Sequence, residues 1–281
     1  MNIKQLFIEA KNNLEGNWAK TILSNILIGF ISSVGLTVLI LLFLMSVISS
    51  IHEIIFDEYW FLITIIIIIF IIAFSIFMII LYTGFKYSIL DLYDKKEYDI
   101  IGFLDILKMQ PLKVLGLILL IFIYTFLWSL LLIVPGIIKG LSYSQALYIL
   151  KDNPDKTISE CINESKKIMD GNKLSLFWAS LILVVISSIP TLLLYGSDYM
   201  SKFLDNSVGY SGAVLLLLLF YYLLLVVVLF VSLFITPLTY SVYAVFYRRL
   251  VPRVVDEKDL NKNVWDIPTT STTIDSISQN L

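Results

Sequence analysis

The sequence contains one cysteine, Cys161, and one histidine, His52. A single cysteine excludes an internal disulfide and a cysteine-rich metal cluster, and a single histidine excludes the paired-histidine zinc motifs. The chain also lacks a glycine-rich phosphate-binding loop and a basic surface suited to nucleic acid. We therefore expect no cofactor, no bound metal and no nucleic-acid partner.

Charged residues are scarce as well. Only 15% of the 281 residues are charged, 58% are hydrophobic, and the mean hydropathy is +0.89. A soluble domain has roughly 25% charged residues and does not tolerate apolar runs of about 20 residues or more. The composition predicts an all-α, polytopic membrane protein. The first apolar run begins near Ala19 and is too long for a signal-peptide core, so we expect a retained membrane helix.

Six membrane-spanning helices best explain where the positive charges lie. The stretch 112–150 fits either one span followed by an interfacial helix or a tight hairpin that turns at Pro135-Gly136. With the hairpin, every Lys and Arg except Lys139 and Lys202 falls on one side of the membrane, which the positive-inside rule makes cytoplasmic. The sequence therefore predicts six spans in the cell (plasma) membrane, with both termini cytoplasmic.

Three shorter segments have the apolar periodicity of amphipathic helices on the cytoplasmic membrane surface. They are residues 1–17, 100–107 and 154–170. We expect Asn153 to cap the third segment, with Pro154 at its first helical position. Residues 1–255 then form one six-helix membrane domain, and the polar residues 256–281 form a disordered cytoplasmic tail.

An internal repeat runs through the membrane domain. A shift of 155 residues aligns the first amphipathic segment with the third and places Gly16 on Gly171. Each return span ends in a Tyr-Ser pair with a basic residue eight positions after the tyrosine. These are Tyr87-Ser88 with Lys95, Tyr143-Ser144 with Lys151, and Tyr240-Ser241 with Arg248. The pattern predicts three parallel hairpin repeats, at about 1–98, 99–152 and 153–255, related by an axis along the membrane normal.

The three Tyr-Ser pairs are the candidate site. At 1.5 Å per residue each tyrosine lies about 12 Å from its basic anchor, inside the apolar zone of the inner leaflet. Hydroxyl groups at one depth either join helices through hydrogen bonds or form a polar ring around a wet or ligand-holding cavity. Lys139 is a second candidate, because it either snorkels to the outer surface or acts as a substrate counter-ion.

Two further groups suggest chemistry only weakly. The turn at residues 52–58 contains His52 and three acidic residues. It fits a metal site, but a solvated outer loop explains it better. Lys139 and Ser142 share a helical face, which permits a Ser-Lys nucleophile pair, but no oxyanion hole accompanies them. We assign no catalytic residue.

Two other polar features fit structural roles. Lys86 and Asp91, near the inner end of the second span, fit an interfacial ion pair. Cys161 falls on the apolar face of an amphipathic helix, where a thiol is buried and inert. Neither feature indicates a reaction.

Several stretches together form a recognisable signature. The most specific runs from Pro135 as PGIIKGLSYSQALYILKDNP and continues as ESKKIMDGNK and Leu176-Phe177. These residues resemble a bacterial membrane family of unknown function, DUF975. The segment around Gly16-Asn17-Trp18 and the closing run from Pro237 to Tyr247 are similar too, so the resemblance covers nearly all residues before the tail. After Phe177 the chain departs from the family's Ser-Phe-x-Gly-Trp pattern.

The resemblance implies an accessory membrane module, because the family is similar to the membrane domain fused to some glycerophosphodiester phosphodiesterases. It implies no catalytic residues. We therefore expect a non-enzymatic multi-pass protein that binds lipid or another membrane protein in the cell envelope. The alternative is a small-molecule transporter or exporter whose polar cavity is lined by the Tyr-Ser pairs, and a wet centre would distinguish it.

Overall fold

The computed structural model describes residues 2–51, 60–95, 97–205 and 213–252. The regular elements among these residues are all helices, which confirms the all-α prediction. They are α1 (Ile3–Leu14), α2 (Trp18–Ile51), α3 (Trp60–Lys95), a 3₁₀ helix (Gly102–Leu107), α4 (Pro111–Leu131), α5 (Ile133–Tyr143), α6 (Ala146–Asp152), α7 (Ile158–Ile168), α8 (Lys173–Asp205) and α9 (Ala213–Leu250).

The chain divides into two compact units, Met1–Leu250 and Val251–Leu281. All the helices belong to the first unit. The predicted tail at residues 256–281 lies outside the described residues.

Several helices are long and apolar enough to cross a membrane. Within the described residues four qualify, and their apolar stretches are Trp18–Leu44, Thr64–Lys95, Pro111–Leu131 and Leu219–Leu250. A fifth is obtained if Ile158–Ile168 and Lys173–Ile189, which meet at 94°, count as one broken span. Large apolar side chains such as Phe30 and Leu131 are exposed along these helices, as expected for a surface covered by lipid. The chain is a multi-pass membrane protein.

The middle part of the chain forms a short antiparallel hairpin. A Cβ atom on Gly136 would lie 2.1 Å from Ser129 Oγ, and one on Gly140 would lie 3.5 Å from Thr125, so α5 runs back along α4. The chain turns at Leu132, which is extended with φ −160° and ψ 146°. The predicted turn at Pro135-Gly136 is therefore wrong by three residues. These residues lie in the first turn of α5, where the missing proline N–H costs no helical hydrogen bond.

Close backbone approach also fixes the packing of α3. A Cβ atom on Gly35 would lie 1.9 Å from the Phe74 ring, which brings α2 against α3. A Cβ atom on Gly84 would lie 2.0 Å from the carbonyl oxygen of Phe103, which brings the C-terminal part of α3 against the 3₁₀ helix. A larger residue at Gly84 would have to push the 3₁₀ helix away, whereas a larger residue at Gly35 would have to displace the end of the Phe74 ring.

A hydrophobic core joins α1, α8 and α9. It contains Leu6 and Ala10 of α1, Met169 after α7, Leu176, Ala179 and Leu183 of α8, and Val242, Val245 and Phe246 of α9. The apolar face of α1 is therefore buried against α8 and α9, whereas the sequence pattern predicted that this helix lies along the membrane surface.

The amphipathic helices α1 and α7 begin with side-chain caps. The Asn2 side chain accepts a hydrogen bond of 3.0 Å from the Lys4 backbone N–H. At α7, Thr157 and Glu160 form a capping box in which each side chain accepts from the other residue's backbone N–H. The predicted start of α7 at Pro154 is wrong, because the side chain of Asn153 donates to the Ile149 carbonyl and belongs to the end of α6.

Both amphipathic helices are followed by a glycine in the left-handed region, Gly16 with φ +78° and Gly171 with φ +75°. A positive φ is energetically unfavourable for an L residue with a Cβ atom, but not for glycine. These glycines let the chain leave the amphipathic helix and enter the next long helix within a few residues.

Replacing Gly171 with alanine is expected to lower the free energy of unfolding by about 1–2 kcal/mol. The cost comes from φ alone, since no atom lies within 4 Å of the added Cβ. Gly29→Ala is the matched control, because its Cβ site in α2 is equally empty and its φ is not positive. Thermal unfolding of the purified chain in detergent compares the two, and equal midpoints would contradict the prediction.

Candidate functional site

A buried ion cluster lies where α3, α6 and α9 end. The guanidinium of Arg248 donates to both carboxylate oxygens of Asp94, at 2.8 and 2.5 Å. It also donates to both carboxylate oxygens of Asp152, at 2.5 and 2.8 Å. Only 5% of the Arg248 side chain and 7% of the Asp94 side chain are exposed. We call Arg248, Asp94 and Asp152 the arginine cluster.

Aromatic side chains close one side of the arginine cluster. The Tyr247 hydroxyl donates to Asp152 at 2.7 Å, and the guanidinium carbon of Arg248 lies 5.1 Å from the Tyr247 ring centroid. Tyr247 stacks on Tyr148, with 5.2 Å between the ring centroids. The extra hydrogen bond helps to satisfy Asp152, since one arginine cannot neutralise two carboxylates.

Helix geometry explains why an arginine is needed here. Asp94 lies in the last turn of α3 and Asp152 is the last residue of α6. A carboxylate at the C-terminal end of a helix is repelled by the negative end of the helix dipole. The planar guanidinium can bind both carboxylates in bidentate fashion, which a lysine cannot do.

A second ion pair ties α6 to α3. The ammonium of Lys151 lies 2.7 Å from an Asp91 carboxylate oxygen and donates to the backbone carbonyl of Tyr87. The Tyr87 hydroxyl in turn donates to the Leu147 carbonyl at 2.9 Å. Tyr87 and the basic anchor of the next Tyr-Ser pair are therefore in direct contact.

The pair Tyr87-Ser88 lies on a buried face of α3. Both residues are less than one-tenth exposed. The Ser88 hydroxyl donates to the Gly84 carbonyl at 3.1 Å, one turn earlier in its own helix. Both hydroxyl groups are thus engaged by backbone carbonyls.

The pair Tyr143-Ser144 lies at the break between α5 and α6. The Tyr143 ring contacts the Tyr124 ring of α4, with 6.1 Å between centroids. The Ser144 hydroxyl donates to the Leu141 carbonyl at 2.8 Å and accepts from the Gln145 side chain at 3.0 Å.

The pair Tyr240-Ser241 joins α9 to two other helices. The Tyr240 ring meets Phe85 of α3 edge-on, with 5.5 Å between centroids. The Ser241 hydroxyl donates to the Ala10 carbonyl of α1 at 2.8 Å and accepts from Asn13 at 3.1 Å. The three serines therefore bond to α3, α5 and α1 respectively, and their hydroxyl groups do not meet one another.

Lys139 lies on α5 beside an aromatic ring of α4. Its ammonium lies 4.6 Å from the Trp128 ring centroid, within the range of a cation–π contact. The Ser142 hydroxyl donates to the Ile138 carbonyl at 2.8 Å. That bond uses the proton that a Ser-Lys pair would transfer to the lysine.

The predicted pairing of Lys86 with Asp91 is wrong. The Lys86 ammonium lies 4.4 Å from the Tyr148 ring centroid and 5.8 Å from that of Tyr243, while Asp91 binds Lys151. Residues five apart point to different faces of a helix, whereas residues three or four apart meet. Tyr148 thus lies between a lysine on one side and Tyr247 of α9 on the other.

Metal ligands do not gather in the part of the chain that the structure describes, where no group of three His, Cys, Asp or Glu side chains is placed to hold an ion. The acidic turn with His52 lies outside the described residues. Cys161 is buried and free, as predicted.

Sequence reasoning missed Asp94 and Asp152, although both are adjacent to basic anchors. Asp94 directly precedes Lys95, and Asp152 directly follows Lys151. The available signal was an acidic residue beside two of the three anchors and none beside the third, Arg248. Two anchors with an adjacent aspartate and one without are the arrangement in which a single arginine can bind both aspartates.

A family profile described as "Protein of unknown function (DUF975)" matches residues 111–254, which is half of the chain. The chain belongs to the DUF975 family. Comparisons with curated proteins and with solved structures returned no match. The DUF975 match extends from α4 to the end of α9, so it includes Asp152 and Arg248 and excludes Asp94.

Replacing Arg248 with methionine is expected to lower the free energy of unfolding by about 3–5 kcal/mol, because it leaves the buried carboxylate of Asp94 unpaired and the partly exposed carboxylate of Asp152 with only its bond from Tyr247. Arg249→Met is the matched control. Arg249 pairs with Glu9 at 2.7 Å, but 47% of the Glu9 side chain is exposed, so we expect a loss below about 1 kcal/mol.

Thermal unfolding in detergent, followed by tryptophan fluorescence, measures both arginine variants. The triple variant in which Asp94→Asn and Asp152→Asn accompany Arg248→Met removes the unpaired charges, and it should recover part of the loss. Equal effects of the two arginine variants would contradict a central role for the arginine cluster.

Proposed function

We propose that this DUF975 protein is a non-enzymatic, six-span module of the cell (plasma) membrane that binds lipid or another membrane protein in the cell envelope. The observation that carries the proposal is the use of the Tyr-Ser hydroxyl groups by the protein itself. Four of them, on Tyr87, Ser88, Ser144 and Ser241, donate to backbone carbonyls. Hydroxyl groups committed to packing are typical of helix association and leave little to line a transport path.

Three hairpin repeats are part of the proposal. Helices α1 and α7 begin at Ile3 and Ile158, and the helices that follow them begin at Trp18 and Lys173. Both pairs are offset by 155 residues, as are the left-handed glycines at 16 and 171. The antiparallel pair α4–α5 supports a shorter middle hairpin whose return arm is completed by α6.

The contacts between units support a closed ring of three. The return arm of each unit packs on the amphipathic segment of the next: Gly84 of α3 on the 3₁₀ helix, Gln145 on Ser165 of α7, and Ser241 of α9 on Ala10 of α1. Ala10 and Ser165 are 155 residues apart, so they occupy the same repeat position. The arginine cluster joins the ends of all three return arms, as an approximate threefold axis would require.

The proposed topology places α1, the 3₁₀ helix and α7 on the cytoplasmic side together with both termini. The distribution of Lys and Arg supports it. The 94° bend between α7 and α8 supports a surface helix followed by a span, because α7 carries Lys166, Lys167 and Glu160 near its ends. We also propose that this bundle is similar to the membrane domain of glycerophosphodiester phosphodiesterases, which would fit an accessory role.

One observation favours the alternative of a transporter. The Tyr148 hydroxyl and the Gln145 side-chain oxygen are buried without a hydrogen-bond partner among the described residues. Buried polar atoms of this kind usually find a water molecule. A small-molecule transporter or exporter would extend such hydration along the Tyr-Ser pairs.

Cysteine accessibility separates the two functions. Single cysteines at Ser88, Ser144 and Ser241 in a Cys161→Ser background are treated with a membrane-impermeant thiol reagent in inside-out vesicles. We expect little labelling at any of the three, because their hydroxyl groups are engaged by the protein. A Lys95→Cys variant, at an exposed position, is the positive control and should react fully.

Fast labelling at all three serine positions would overturn the packed-module proposal and make transport the better function. The purified variants are first compared by gel filtration, so that labelling is scored only for variants that elute like the parent chain.

A further inference from the structure

A pocket of about 220 Å³ opens between α3, the start of α4 and the end of α6. Three lysines from three different elements line it, namely Lys108, Lys113 and Lys151. Its apolar floor includes Val114 and Leu150, and the described residues that line it include no carboxylate. Three ammonium groups therefore surround one apolar floor, with the carboxylates of Asp91 and Asp105 beside two of them.

Each lysine is anchored but retains hydrogen-bonding capacity. Lys113 donates to the Pro154 carbonyl, Lys151 pairs with Asp91, and Lys108 lies 2.8 Å from Asp105. An ammonium has three N–H donors, so these contacts leave donors for an anion. Because the Lys108–Asp105 pair is exposed, it is weak and can be exchanged for a phosphate.

Exposed apolar side chains adjoin two of the pocket lysines, Lys108 and Lys113, along the chain. Leu112, directly before Lys113 in α4, is 82% exposed, and Leu104 and Leu107 of the 3₁₀ helix are 37% and 45% exposed. In water such a cluster would be unfavourable, whereas at a membrane surface it contacts acyl chains. Phosphate-binding and chain-binding groups therefore lie side by side.

We propose that this pocket binds the phosphate headgroup of an anionic membrane lipid, with the lipid's acyl chains lying against the 3₁₀ helix and α4. The inference rests on the proposed function and deepens it, because it names the ligand class and the site. A free phosphate would use the same lysines. The adjoining leucines favour the lipid, since a small anion gains nothing from them.

The test measures lipid binding to the purified full chain in detergent micelles, by native mass spectrometry. The probes are dioleoylphosphatidylglycerol, dioleoylphosphatidylcholine and inorganic phosphate. The chain should bind the anionic phosphatidylglycerol at least about tenfold more tightly than the zwitterionic phosphatidylcholine. Removing two pocket charges in K108Q/K113Q should weaken that binding by about 30-fold, or roughly fivefold for each lysine.

The matched control is K4Q/K11Q, which removes the same charge from exposed positions on α1. Its binding should stay within about threefold of the parent chain. A second variant, Met109→Trp, fills the pocket and retains all three lysines. It should also lose the preference for phosphatidylglycerol over phosphatidylcholine. This variant decides the outcome if K108Q/K113Q does not elute like the parent chain.

Equal binding by the two double variants would overturn the pocket, and release of the lipid by inorganic phosphate at the same concentration would overturn the lipid as its ligand. Either result would leave the packed module standing, because cysteine labelling tests that separately. If the cysteines at the three serine positions are labelled and the preference for phosphatidylglycerol is intact, the packed module is overturned and the pocket is retained.

Discussion

The rest of the structure depends on one buried guanidinium. Arg248 comes from the end of α9, and it can be buried only because Asp94 of α3 and Asp152 of α6 accept four hydrogen bonds from it. Ions taken out of water lose several kcal/mol of hydration each, so any arrangement that separates these three is strongly disfavoured. The arginine cluster therefore selects the one packing in which three helix ends meet.

Pairing alone would leave the long helices free to rotate, and the amphipathic segments restrict that freedom. Ser241 joins α9 to α1, and Ser165 joins α7 to the break before α6. Each of these bonds lies near the cytoplasmic end of the bundle in the proposed topology, where the arginine cluster lies too. Along the described parts of the long helices many large apolar side chains are exposed, such as Phe30 and Leu131, and lipid can cover them.

Local signals in the sequence predicted local structure well. Gly16 and Gly171 end the amphipathic helices because no other residue holds a positive φ cheaply, and that requirement is visible in the sequence. The turn at Leu132 and the cap at Thr157 depend on choices between neighbouring residues of similar propensity, so both were misplaced by a few positions. The partners of Arg248 are 96 and 154 residues away, and no periodic pattern specifies them.

The same physics indicates where this DUF975 protein can bind something. In a region of low dielectric constant a hydroxyl group or a charge must find a partner, and for Arg248, Tyr87 and Ser241 the partners come from the protein itself. Groups with donors to spare then lie at the margin, where Lys108 and Lys113 face an open pocket beside exposed leucines. A bundle whose interior is occupied by its own contacts interacts through its edges. In the function that we propose, recognition therefore takes place at the membrane–water boundary, where both a phosphate and an acyl chain can reach the protein.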